Sequence, residues 1–265
     1  MWGNRDGEMS ALLRRDILTA RPSRPSIPYI VLFAGLAASA ATGFYADRLG
    51  AARDRIRFDS EAEQVRSTVA NRIDTYVALL RSASGLFAAS EEVTRRDFFR
   101  FVERLDLRER YPGMQGIGFS QRIPAAELDH TVARIRASGD PGFRIRPSYP
   151  RDEYHAIVYL EPRDRRNAAA VGYDMYSEPT RREAMDAAAR KGSAAASGKV
   201  TLVQEIEPRE RQAGFLIYVP VYRSGFIPAT EEARLEQLEG FVYSPFRAGD
   251  FLATVLKESG VEGLG

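Results

Sequence analysis

The longest uncharged apolar run is IPYIVLFAGLAASAATGFYA, Ile27 to Ala46, which ends at Asp47. At about 1.5 Å of helical rise per residue it is long enough for a hydrocarbon core of about 30 Å. The leading expectation is a membrane helix. A cleaved signal peptide is a second reading, because Arg14, Arg15, Arg21 and Arg24 form a basic lead and Ala38-Ser39-Ala40 resembles a cleavage site. A buried globular helix fits poorly, since hydrophilic sequence flanks the run on both sides. Four arginines in 7–26 against five in 47–66 leave orientation undecided by charge, but long domains translocate largely regardless of theirs. The expected arrangement is a cytoplasmic tail (1–26), one transmembrane helix (27–46) and everything from 47 to 265 outside the plasma or inner membrane.

The pattern then changes. Phe58, Ala62, Val65, Val69, Ile73, Tyr76, Leu80, Ala83 and Phe87 recur at intervals of three and four, close to a heptad seam. They predict one long helix over 47 to about 90. Its stripe can pack on its own domain or on a twin helix. The expectation is both, with a homodimer through the membrane-near half.

Thr94 with Asp97 reads as a helix start, followed by the apolar run Phe98 to Leu105. Tyr111-Pro112-Gly113 is a turn. Strands are predicted over 114–123, 143–146, 155–160, 199–206, 215–222 and from 241 to 246. Helices are predicted from Pro124 to Gly139, over 179–191 with Gly192 as its cap, and over 248–257. Residues 163–170 and 224–239 read as polar connections. The order gives an α+β chain built around an antiparallel sheet.

Composition narrows the function. No cysteine occurs, which excludes a disulfide framework, a thiolate metal site and a cysteine nucleophile. The net charge is only +2, with arginines interleaved among carboxylates, so no nucleic-acid partner is expected. His130 and His155 lack metal-ligand spacing, and no metal or cofactor is expected. There is no G-x-S-x-G, and the glycines at 113, 116 and 118 lie in a strand-like run without a following Lys-Ser or Lys-Thr. The chain is not expected to be an enzyme.

Four ordered segments carry a resemblance: YPGMQGIGFSQR from Tyr111, GYDMYSEPTRREAM from Gly172, ASGKVTL from Ala196 and GFLIYVPVY from Gly214. Together they resemble CHASE domains, the extracellular sensory modules of many histidine kinases, diguanylate cyclases and plant cytokinin receptors, over about 60–257. The resemblance implies stalk and linker helices (47–110), a membrane-distal PAS-like ligand-binding subdomain (111–223) and the start of a membrane-proximal PAS-like one (239–265). It also implies a larger receptor of which this is an N-terminal fragment. A small organic ligand, cytokinin-like or adenine-like, would bind and signal through the stalk to a kinase or cyclase module.

By the same resemblance Asp174 matches an aspartate that hydrogen-bonds a nitrogenous ligand, and Ala196 and Val219 match pocket positions. Phe119, Ile157, Tyr159, Thr201 and Tyr218 are pocket candidates from their place in the sheet. Alternation along a strand argues against Tyr218 and Val219 facing one pocket together. A plainer reading has Asp174 capping a turn or the next helix, or pairing with Arg181 or Arg182. The alternatives for the whole are a periplasmic hydrolase using acidic residues, which needs a second carboxylate in one cleft, and a non-binding dimerisation spacer.

Overall fold

The structure is a computed structural model describing residues 26–260 except 208 and 210, with the side chains of 26, 49–54 and 56 left aside. The tail expected over 1–26, with its basic lead, falls outside the described side chains, and so do residues 261–265. The chain divides into two compact units, one to Ser60 and one from Glu61.

Helix α1 runs from Ser26 to Ala88. In the first unit, Ile27–Arg48 has a mean hydropathy of 1.7, and none of it is buried in the protein. It is long and apolar enough to cross a membrane, as the sequence predicts. Phe58, on the predicted seam, is 63% exposed.

The second unit is an α+β fold on one six-stranded antiparallel sheet, ordered β2-β1-β6-β5-β3 with β4 also on β5. The strands are β1 (Ile117–Pro124), β2 (Glu153–Glu161), β3 (Ala195–Ala196), β4 (Val200–Thr201), β5 (Ala213–Tyr222) and β6 (Leu238–Arg247). The helices after α1 are α2 (Arg95–Glu103), α3 (Leu107–Arg110), α4 (Leu128–Ala137), α5 (Arg165–Ala170), α6 (Pro179–Lys191), α7 (Glu231–Gln237) and α8 (Ala248–Ser259).

Period-two side-chain alternation divides this sheet into two apolar faces. Ile117, Phe119, Ile217, Val219, Val242 and Phe246 face Tyr76, Leu80 and Ala83 of α1, with α2, α3 and α8 alongside. Thus the later part of the predicted seam packs on its own sheet. Gln64 donates to the Ser259 carbonyl at 2.8 Å, and Arg72 pairs with Glu258, fixing α8 to the same helix. At the β2 end, α4 covers Tyr154, Ala156 and Val158. On the opposite face Ile157, Leu216, Tyr218, Phe241 and Tyr243 pack under Met175, Ala184, Met185 and Ala188.

Several expectations need correction. The segment from 239, expected to open a second subdomain, forms β6 between β1 and β5, the centre of this sheet. A sheet boundary between 223 and 239 therefore does not exist. Pro124 ends β1 rather than beginning a helix, and a 3-10 turn (Ala125–Glu127) precedes α4. Residues 165–170 are helical because the Asp164 carboxylate accepts from the Asn167 amide at 2.9 Å. Within 199–206 only Val200 and Thr201 pair; Glu205 then turns its carboxylate inward to Arg166 (2.5 Å) and Arg247 (2.9 Å). In 143–146 only Arg146 bridges, to Tyr173.

Candidate functional site: the sheet face beneath Asp174

Residues 172–174 form a short rail along β2. The Gly172 amide donates to Ile157, the Ile157 amide to Tyr173 and the Asp174 amide to Arg146. Gly172 has φ +82°, and a Cβ there would meet the Arg144 carbonyl at 2.2 Å, so the rail needs glycine. It delivers Asp174 to a fully buried position. Its Oδ1 accepts from the His155 amide (2.7 Å) and the Tyr176 amide (3.1 Å), capping the 3-10 turn Met175–Ser177. Oδ2 lies 2.8 Å from Arg151 Nη2, close enough for an ion pair but not aligned as a hydrogen bond. Arg151 is itself held over the rings of Tyr149 (4.1 Å) and Tyr154 (4.8 Å). Burial pushes the Asp174 carboxyl above its ordinary range, against the opposing pull of the His155 amide and the Arg151 charge. Asp174 thus caps a turn, and its cation is Arg151 rather than Arg181 or Arg182.

Glu178 caps α6 by accepting from the amides of Thr180 and Arg181, both at 3.0 Å. The turn and α6 form a cover over the sheet. The Tyr176 ring lies 4.2 Å from the His155 ring, and its hydroxyl donates to Asp186 on α6. Met175 and Met185, both fully buried, fill the space beneath. Methionine is unbranched and flexible, the most adaptable of core fillers.

The floor of this face is more polar than packing requires. His155 is fully buried and neither ring nitrogen has a hydrogen-bond partner among the described residues. The same holds for Ser120 Oγ and Tyr243 Oη. Register puts them on one face of three adjacent strands. Arg122 pairs with His155, Ser120 with both Ile157 and Phe241, and Gly118 with Tyr243. A Cβ at Gly118 would stand 2.5 Å from the Tyr243 ring, so glycine there is what admits the tyrosine. Burial, with the Arg122 charge second, lowers the His155 pKa to about 3, and the ring is a neutral imidazole. A neutral imidazole offers one donor and one acceptor, and each hydroxyl can do either.

The residues predicted from sequence do not gather in one place. Asp174, Tyr218 and Ile157 share this side, Asp174 in the cover and the other two in the floor. Tyr218 is fully buried with its hydroxyl 3.6 Å from Met175 Sδ. Val219, Phe119 and Tyr159 lie on the α1 side. There Phe119 stacks on Phe87 at 4.2 Å, and the Tyr159 hydroxyl donates to the Val93 carbonyl at 2.9 Å. Phe119 and Tyr159 also line a groove of about 1040 Å³ at the end of α1. Ala196 and Thr201 are exposed on the strands beside β5, and the Thr201 carbonyl accepts from Arg181. Sequence reasoning missed His155, Ser120, Tyr243, Tyr176 and Arg151. The available signal was a serine and a histidine at apolar-face positions of otherwise hydrophobic strands.

Among curated proteins none matches the chain. A CHASE domain family model matches residues 91–264, beginning at the end of α1 and taking in the whole sheet, its cover and the floor beneath it. With a match over more than half its length, this chain belongs to the CHASE domain family, a family of extracellular sensory domains of signalling receptors.

Proposed function

We propose that the chain is the extracytoplasmic sensory part of a membrane-anchored receptor and binds a small organic molecule between the sheet and the Asp174–Lys191 cover. The observation that carries the reading is the set of partnerless polar atoms on one buried face: both nitrogens of His155, Ser120 Oγ and Tyr243 Oη. A buried polar group without a partner costs about 1–3 kcal/mol, and valine or phenylalanine at the same positions would avoid that cost. A guest with mixed donors and acceptors on one edge, such as a purine, recovers it. The neutral imidazole favours an uncharged guest over an ion.

The strand order, with first and last strands adjacent at the centre, supports a PAS-like sheet. Strand β1 carries Ser120 on the binding face and, one residue earlier, Phe119 against Phe87 of α1. A guest that moves β1 therefore moves the stack on α1, which is the proposed route to an intracellular kinase or cyclase module. Exposed Phe58 supports a homodimer through the membrane-near helix. The reading includes no catalytic step. Asp174 is committed to two amides and Arg151, and the nearby Glu153 is paired with Arg122 at 2.7 Å.

The test is a thermal-shift screen of the full chain in nanodiscs against uncharged purines and related heterocycles, repeated with Ser120→Ala and His155→Phe. A compound that stabilises the native protein and loses its effect in both variants supports the reading. Equal shifts in all three proteins, or none with any compound, refute it.

A further inference from the structure

A second, smaller groove lies on the outside of the unit between α2, α3 and the end of β2, with a volume of about 340 Å³. Its walls are apolar: Phe99 and Val102 from α2, Leu107 from α3, and Pro162 after β2. Phe99 is 43% exposed, which leaves a phenyl face toward the opening. Against these walls stands the carboxyl of Glu161. The residue is 4% exposed, and its Oε2 has no hydrogen-bond partner among the described residues. Nor is any ion pair formed by Glu161 among them. The cation whose charge acts on it, Arg95, is taken by Asp140 at 3.0 Å. Burial accordingly pushes the Glu161 carboxyl above its ordinary range.

The rim is acidic. Glu103, Asp106 and Glu109 line the groove with a single cation, Arg108. Arg108 faces Asp164 at 3.6 Å, and Asp106 has only a loose exposed contact with Arg110 at 3.8 Å. A negative rim raises the local concentration of cations. Apolar walls with one buried acceptor select a guest having a hydrophobic body and a charged N–H donor. An ammonium donating to a carboxylate makes a charge-assisted hydrogen bond, and the phenyl face of Phe99 adds a cation–π contact. The volume lies at the low end of small-molecule sites, roughly 300–1,000 Å³, and suits a small guest.

We propose that this groove is a second binding site, for an organic ammonium compound with an apolar body whose N–H groups are received by Glu161. It is separate from the Asp174 face and does not rest on that reading.

Three probes of one shape separate the chemistry: 2-phenylethylammonium, 2-phenylethanol and phenylacetate. Titration calorimetry of the full chain in nanodiscs should show binding of the ammonium alone. Glu161→Gln keeps the shape, and Oε2 makes no protein hydrogen bond to lose, so the variant should fold and bind the ammonium about tenfold more weakly or worse. Ser120→Ala should leave ammonium binding unchanged, which distinguishes failure here from failure at the other face. The proposal is overturned if the alcohol or the acid binds as well as the ammonium. It is equally overturned if Glu161→Gln binds the ammonium like the native protein, or if the native protein binds none of the three at millimolar concentration.

Discussion

Acidification should destabilise the domain through His155. The imidazole titrates near 6.5 in the unfolded chain and near 3 in the folded one, because burial and the Arg122 charge disfavour the imidazolium. Glu153 lies 3.9 Å from Nε2, but its carboxylate is paired with Arg122 and does not hold a proton on the ring. Between the two values the unfolded state carries a proton that the folded state lacks. Stability is therefore complete above about pH 6.5 and falls toward pH 3, by about 1.4 kcal/mol per pH unit. From pH 6.5 to pH 5 the loss is about 2 kcal/mol, or about 4–8 °C in Tm for a domain of this size. Other buried acids titrate as well, so the informative quantity is the difference between the native protein and His155→Phe. Phenylalanine fits between the rings of Tyr176 and Phe241 and breaks no protein hydrogen bond. Urea unfolding of both, followed by far-UV circular dichroism at pH 7, 6 and 5, should show the native protein losing ground to the variant as pH falls. Parallel curves would refute the argument.

Asp174→Ala removes the acceptor of two backbone amides and strands the Arg151 guanidinium; the expected loss is about 3–5 kcal/mol, with Asp174→Asn milder because it can keep Oδ1, measured by the same urea titration. Thr94 accepts from the Asp97 amide at 3.2 Å in a reciprocal capping box, so Thr94→Ala should cost about 1 kcal/mol, seen as a small drop in Tm. Gly118→Ala drives a methyl into the Tyr243 ring and should cost about 1–3 kcal/mol, with the near-UV tyrosine signal altered. Cysteine at Phe58 should crosslink two copies under mild oxidation, whereas cysteine at Val65, which packs on its own core, should not; no Phe58 crosslink would count against the dimer.

What the sequence made legible follows from the strength of local signals. The apolar run at 27–46, the seam from Val65 to Phe87, the box at Thr94 and the helix from Pro179 to Gly192 each combine periodicity with a chemical start or stop, and each stands where expected. Helices α5 and α7 were hidden because they are short and polar. Only Asp164 and Thr230, each accepting from an amide three residues on, mark them. The boundary error at 239 has a different origin. Leu238–Arg247 is as strand-like as its neighbours, but nothing local says whether it pairs with β1 and β5 or starts a new sheet; that is decided by long-range register. The site was only half legible for the same reason. Asp174 could be singled out by motif, yet its partners come from Arg151, His155 and Tyr176, and the floor from three strands. Alternation separated Tyr218 from Val219 correctly, while the bulge between Phe119 and Ser120 reverses which strand neighbours share a face.

The central claim, that the buried polar face beneath Asp174 receives a small molecule, is tested most directly by hydrogen exchange. The full chain would be compared with and without the most stabilising heterocycle of the thermal screen. Slower exchange confined to β1, β2, β6 and the 174–191 cover is the predicted result. Protection elsewhere, with those segments unchanged, would contradict it.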